Sequence, residues 1–225
     1  MDEIIVEEKR LSINHYLNDM FKWMIIGVMV TFVTAFSIEN IIDFDDLFLL
    51  PLLAIGLQFL VVFRFTKNLL SMSLNKAKVL YIVYAILTGI TFSLVVNCYT
   101  PFSVAFAFFI AAVYFGILVL VGTFIKADLT KIGNICLIGL GLYLVVLVIA
   151  LLFNLGINMI VMSFISLALF AGITAYDMQS SLKLYDEANG NIEMIKKLSI
   201  YGAFTLYLDF VNIFLDILRI VGENK

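Results

Sequence analysis

The sequence predicts an all-α, polytopic membrane protein with seven transmembrane helices, and three observations carry that prediction. Of 225 residues, 63% are hydrophobic and only 14% are charged, against about 45–50% apolar and 25% charged in soluble globular domains. Seven stretches are long and apolar enough to cross a hydrocarbon core, which takes about 20 residues per helix. The basic residues gather on one side of the path those stretches would trace.

The stretches run over about 21–38, 47–65, 79–98, 104–125, 134–153, 159–179 and 198–222. Helices are predicted because lipid offers no partner to unpaired backbone groups and alternating strand patterns are absent. The connections are short, so successive helices should be antiparallel neighbours, including the last two, for which Ser180 to Lys197 reads as the connecting loop. Residues 1–225 form one transmembrane domain, opened by a polar N-terminal segment over 1–20. That segment carries Asp2, Glu3, Glu7 and Glu8, so no cleavable leader is expected there.

Orientation follows the lysines and arginines. Lys9, Arg10, Lys22, Arg64, Lys67, Lys76, Lys78, Lys126, Lys131, Lys183, Lys196 and Lys197 fall on one side, twelve of the 14 basic residues. The opposite connections, 39–46, 99–103 and 154–158, hold none, and the first of them carries Glu39, Asp43, Asp45 and Asp46. The basic side, with the N-terminus, is expected in the cytoplasm. A fully crossing last segment would place Arg219 and Lys225 outside, whereas a re-entrant one would keep them inside; its length favours a full crossing.

Other features exclude whole classes. A net charge of −3 gives no footing for nucleic acid. The single histidine, His15, cannot build a metal site and reads as a surface or interface residue. Cys98 and Cys136 have no metal-ligand or disulfide spacing and read as buried packing residues. No Gly-rich phosphate loop or nucleophile elbow occurs, so no enzyme and no cofactor are expected.

Ionisable residues inside membrane helices are costly and mark function by default. At about 100° per residue, Thr205, Asp209, Asn212, Asp216 and Arg219 fall within an arc of roughly 80° on the last helix. Ser163, Ser166, Thr174, Asp177 and Ser181 form a comparable stripe on the sixth. Two adjacent antiparallel helices should turn such stripes toward each other or toward a wet cavity. Two carboxylates in one low-dielectric site cannot both ionise cheaply, so Asp177 and Asp209 would share a proton and respond to pH. When both ionise they attract a cation, and with hydroxyls, Asn212 and water they would make a transient calcium site, since calcium prefers about six to eight oxygens. Asp216 and Arg219, spaced i to i+3, either neutralise each other or extend the stripe. Arg64 either snorkels to headgroups or pairs with Asp177.

Tyr176-Asp177-Met178-Gln179, followed by Leu206-Tyr207-Leu208-Asp209-Phe210-Val211-Asn212-Ile213-Phe214, resembles the C-terminal half of the Bax inhibitor-1 family, the transmembrane Bax-inhibitor-motif proteins. Thr88-Gly89-Ile90-Thr91 resembles that family's glycine-bearing third helix. The resemblance implies a seven-helix fold with the last helix central and a pH-sensitive calcium leak. It implies that Asp177 and Asp209 are the pH-sensing pair. It also implies a basic latch in the second helix, either Arg64 or Lys67. Many members carry a glutamate in that helix where this chain offers Gln58, so a carboxylate role there is not carried over.

Three functions compete at this point. The first is a calcium or general cation leak gated by the Asp177–Asp209 pair, in which an Arg64 latch closes the pathway at alkaline pH and acid releases it. The second is a membrane-embedded regulator acting on a partner such as a membrane protease or a cell-death factor, as relatives of the family suggest; the sequence offers no docking motif for it. The third is an intramembrane aspartyl protease, which Tyr176-Asp177 resembles. That site's second half should read Gly-x-Gly-Asp, whereas residues 206–209 read Leu-Tyr-Leu-Asp, and Pro51 and Pro101 supply no Pro-Ala-Leu element. A bacterial plasma membrane is the expected location, with an organelle membrane as the alternative.

Overall fold

The structure is a computed structural model that describes the backbone of residues 2–39, 49–69 and 71–225 and the side chains of 13–38, 53–69 and 71–225. The acidic connection with Asp43, Asp45 and Asp46 lies outside the described residues, as do the side chains of Glu39, Lys9 and Arg10. Seven helices follow one another among the described residues: α1 (Asp2–Glu39), α2 (Leu49–Asn68), α3 (Leu74–Cys98), α4 (Pro101–Phe124), α5 (Thr130–Leu152), α6 (Met159–Glu187) and α7 (Ile192–Val221). Among the described residues no strand forms, only one isolated bridge between Tyr99 and Asn224. Five spans among the described residues, Ile13–Ile38, Leu74–Cys98, Pro101–Phe124, Thr130–Leu152 and Met159–Glu187, are long and apolar enough to cross a bilayer. Exposed Ile135, Ile138, Leu142 and Leu144 on α5 need an apolar solvent, because monomeric soluble proteins do not present such continuous patches to water.

Two expectations are corrected here. The stretch Ser180 to Lys197 is not a loop: α6 continues to Glu187 and α7 starts at Ile192. Charged residues such as Lys183, Asp186 and Glu187 end a hydrophobic run without ending a helix, so the helices outlast their apolar segments. The true turn is tight. Asn189 and Gly190 take positive φ values of 48° and 78°, and Asn191 Oδ1 accepts from the Met194 amide to open α7. The polar N-terminal segment is helical from Asp2 and runs unbroken into the first apolar stretch. Cys98 is also exposed at the end of α3 rather than buried, while Cys136 is half-buried, and both are free thiols.

Contacts divide the chain into two compact units, Met1–Cys98 with Lys183–Tyr207 and Tyr99–Leu182 with Leu208–Lys225. Helices α6 and α7 each contribute to both.

In the first unit α3 packs against α1 and α2. The close approach of α1 and α3 depends on Gly89, where an added Cβ would lie 2.5 Å from Thr34 Cβ and 2.7 Å from the Thr31 carbonyl oxygen. Backbone cannot yield as a flexible side chain does, so Gly89→Ala should destabilise the protein by about 1–3 kcal/mol. Thermal unfolding of the purified variant tests this, and an unchanged melting temperature would refute the tight contact.

A buried aromatic cluster fixes the start of α7 in the same unit. Phe204 packs on Phe65 at 4.4 Å between centroids with the rings tilted by 39°, and meets Tyr81 and Tyr84 edge-on. Tyr207 Oη lies 2.6 Å from Thr31 Oγ1, which is itself 3.0 Å from the carbonyl oxygens of Gly27 and Ala85. Carbonyls only accept, so Thr31 gives its proton to one of them and Tyr207 donates to Thr31.

In the second unit Phe108 and Phe115 of α4 meet Phe210 edge-on at 5.5 and 5.6 Å, and Phe108 also meets Phe214 at 6.3 Å. Thr100 caps α4 ahead of Pro101 and receives the chain end, its amide donating to the Glu223 carbonyl at 3.0 Å. Ser103 Oγ accepts from the Glu223 amide at 2.9 Å.

Candidate functional site

The polar stripes of α6 and α7 meet in the second unit, and their pairing runs in opposite senses along the two helices. Arg219 donates to Ser163 Oγ at 2.9 Å, Asp216 lies beside Ser166, and Asp209 lies beside Thr174 and interacts electrostatically with Asp177. Positions 163, 166, 174 and 177 thus advance while 219, 216 and 209 recede, as an antiparallel pair requires.

The Asp177–Asp209 end is the polar centre of an apolar surrounding. Asp209 is 3% exposed, and its neighbours on α7 include Leu206, Phe210 and Ile213, all buried. Among the described residues Asp209 Oδ2 and Thr174 Oγ1 are buried without a hydrogen-bond partner. The Thr174 hydroxyl therefore stands next to the carboxyl but not in bonding geometry. An unmet buried oxygen of this kind costs about 1–3 kcal/mol, and in native structures it points to a group that takes a proton, a water or an ion. No third carboxylate, histidine or cysteine completes a cluster with the pair among the described residues.

The other end is an ion-paired cluster. Asp216 is 4% exposed, and its Oδ1 accepts from Arg219 Nη1 at 3.1 Å. Tyr143 of α5 faces Asp216, Arg219 and Ser166. Sequence reasoning missed Tyr143. The available signal was one phenol in the apolar run 135–152 of that helix.

Thr205 and Asn212 share the predicted arc but are satisfied on their own helix, by the carbonyls of Gly202 and Leu208. Thr205 belongs to the first unit. Arg64 also belongs to the first unit, whereas Asp177 belongs to the second. Within its unit Arg64 lines cavities with Asn75, Lys76 and Leu80. Lys67 lies over the Phe63 ring at 5.5 Å. Gln58 Nε2 donates to Thr88 Oγ1 at 3.1 Å, which places it on the glycine-bearing segment of α3.

Two residues after Asp177, Gln179 clamps α6 to the connection between α4 and α5. Its Oε1 accepts from the Leu129 amide at 2.9 Å and its Nε2 donates to the Ala127 carbonyl at 2.9 Å. Leu129 is buried, so Gln179→Leu should leave its amide unmet, at a cost of about 1–3 kcal/mol. Hydrogen exchange would read faster exchange at Leu129 in that variant, with Gln179→Glu keeping part of the protection. Equal exchange in wild type and Gln179→Leu would remove the clamp.

Helices carrying exposed apolar faces, with carboxylates and an ion pair between two of them, define a multi-pass membrane protein with a few polar groups buried in an apolar interior. Residues 13–225 match the family described as Inhibitor of apoptosis-promoting Bax1, and the chain belongs to this Bax inhibitor-1 family. It is 31% identical over 229 residues to the inner membrane protein YbhL of Escherichia coli strain K12, covering 98% of this chain and 96% of the relative. It is 34% identical over 227 residues to an uncharacterized protein of Rickettsia prowazekii, covering 95% and 92%. It is 30% identical over 233 residues to one of Borreliella burgdorferi, covering 100% and 99%.

Proposed function

We propose that this protein is a proton-gated leak for calcium, or cations generally, controlled by the Asp177–Asp209 pair. The observation that carries the reading is the buried Asp209 carboxyl, electrostatically coupled to Asp177 and with one oxygen unmet among the described residues. A carboxyl pair in an apolar surrounding has few uses as scaffold. Its charge state changes with pH, and each state favours a different packing of the helices that hold it. When both groups are ionised they repel, and the pair attracts a cation. When a proton is shared the repulsion falls. Acid is taken as the opening signal in this reading, in line with the leak activity that the family resemblance implies.

The same reading takes all seven helices as crossing the bilayer, with α7 as the central one. Its support is the burial of Ala203, Leu206, Phe210, Ile213, Ile217 and Leu218 around α7, and a length of 30 residues or about 45 Å. The reading takes the N-terminus as cytoplasmic, on the distribution of basic residues, and the membrane as a bacterial one, as for the relatives.

Calcium entry into proteoliposomes holding the pure protein, scanned from mildly acidic to mildly alkaline pH, tests the activity. Flux that rises with acid supports it. Flux no greater than in empty liposomes at every pH would overturn it and shift attention to a membrane partner that co-purifies.

A further inference from the structure

Four basic residues gather where α2 ends and α3 begins, and they are not equivalent. Lys67 lies over the Phe63 ring and Lys78 over the Trp23 ring at 5.0 Å, so each already has an aromatic partner. Arg64 and Lys76 have no ion-pair partner among the described residues, and both line the same two cavities. One, of about 400 Å³, is mostly carbon-walled and adds Asn75 and Val79. The other, of about 290 Å³, is more polar and adds Asn68 and Ser71. Both cations are exposed.

An apolar surface adjoins this pair of cations. Leu60 lies one turn before Arg64 on the same face of α2 and is 66% exposed, and Val79 on α3 is 61% exposed, with Val83 one turn further on. A free anion needs only the cations and the polar cavity. A molecule that also uses the carbon-walled cavity and the exposed Leu60–Val79 surface must be amphipathic. Basic pockets between transmembrane helices suit anionic lipid headgroups, and guanidinium and ammonium groups both hold phosphate.

We propose that Arg64 and Lys76 form a binding site for an anionic phospholipid, its phosphate between the two cations and its acyl chains along Leu60, Val79 and Val83. Asn68 and Ser71 supply hydrogen-bonding groups to the headgroup in the polar cavity. This gives Arg64 a role separate from the latch implied by family resemblance, and it stands whether or not the protein conducts ions.

Native mass spectrometry of the full-length protein, released from detergent with added phosphatidylglycerol or phosphatidylcholine, tests the site. Wild type should retain phosphatidylglycerol in preference. At about fivefold per basic residue, Arg64→Gln with Lys76→Gln should weaken that binding about 30-fold. Lys67→Gln with Lys78→Gln removes the same charge outside the cavities and should retain most of the binding. Arg64→Lys with Lys76→Arg should keep the preference and guards against a folding artefact. Equal losses in the two glutamine pairs would mean diffuse surface charge and would overturn the site. Equal retention of both lipids by wild type would do the same. Displacement of the lipid by inorganic phosphate as readily as by phosphatidylglycerol would assign the cavity to a free anion instead.

Discussion

Asp209→Asn is expected to hold calcium flux at its acid level at every pH, and Asp177→Asn to do the same. Asparagine keeps the shape of the carboxyl but carries no charge, so it mimics the protonated group permanently. With either partner neutral the mutual repulsion is gone, and one residual carboxyl no longer reports the state of a pair. The double variant should then behave like each single, because residues that act through one shared interaction are not additive. Thr174→Val is the internal control. Its hydroxyl stands beside Asp209, so its removal should move the pH response along the pH axis without abolishing it. Flux measurements on the four variants against wild type decide the matter. A preserved pH response in both single variants, or effects that add in the double, would remove the pair as the sensor.

The parts of this site that sequence could reveal are those with helical spacing. The stripes on α6 and α7 emerge from positions three, four and seven apart, and the structure brings Ser163, Ser166, Thr174 and Asp177 against Arg219, Asp216 and Asp209. Spacing alone cannot separate members that face a partner helix from those that fold back on their own. Thr205 and Asn212 share the arc, yet each bonds a backbone carbonyl three or four residues earlier. Contacts to backbone leave no mark in a sequence. The Gln179 clamp and the Tyr207–Thr31–Ala85 chain are of that kind, and neither was visible beforehand. Hydropathy marks where apolar surface ends rather than where a helix ends, which is why Ser180 to Lys197 was misread. Glu187 and Ile192 bound a turn set instead by the backbone of Asn189 and Gly190.

Arg219→Met is expected to destabilise the protein more than Asp216→Asn, and the two together less than Arg219→Met alone. The physical reason is the unequal burial of the pair. Asp216 has a 6% exposed side chain, whereas that of Arg219 is 33% exposed. Removing the arginine strands a buried carboxylate, and breaking a buried ion pair in this way costs about 3–5 kcal/mol. The partial exposure of Arg219 places the cost at the lower end of that range. Ser163, Ser166 and Tyr143 surround the site and soften it further. Removing the carboxylate strands only a cation whose long side chain can reach water or headgroups, so the loss is smaller. Neutralising both leaves no buried charge, and such replacements are often close to neutral. The sign with pH follows from the same charge: the deficit of Arg219→Met should shrink in acid, where the orphaned carboxyl takes up a proton. Thermal unfolding of the three variants in one detergent, at acidic and alkaline pH, reads all of this. If Asp216→Asn proved the more damaging single change, the buried member of the pair would not be the one that needs its partner.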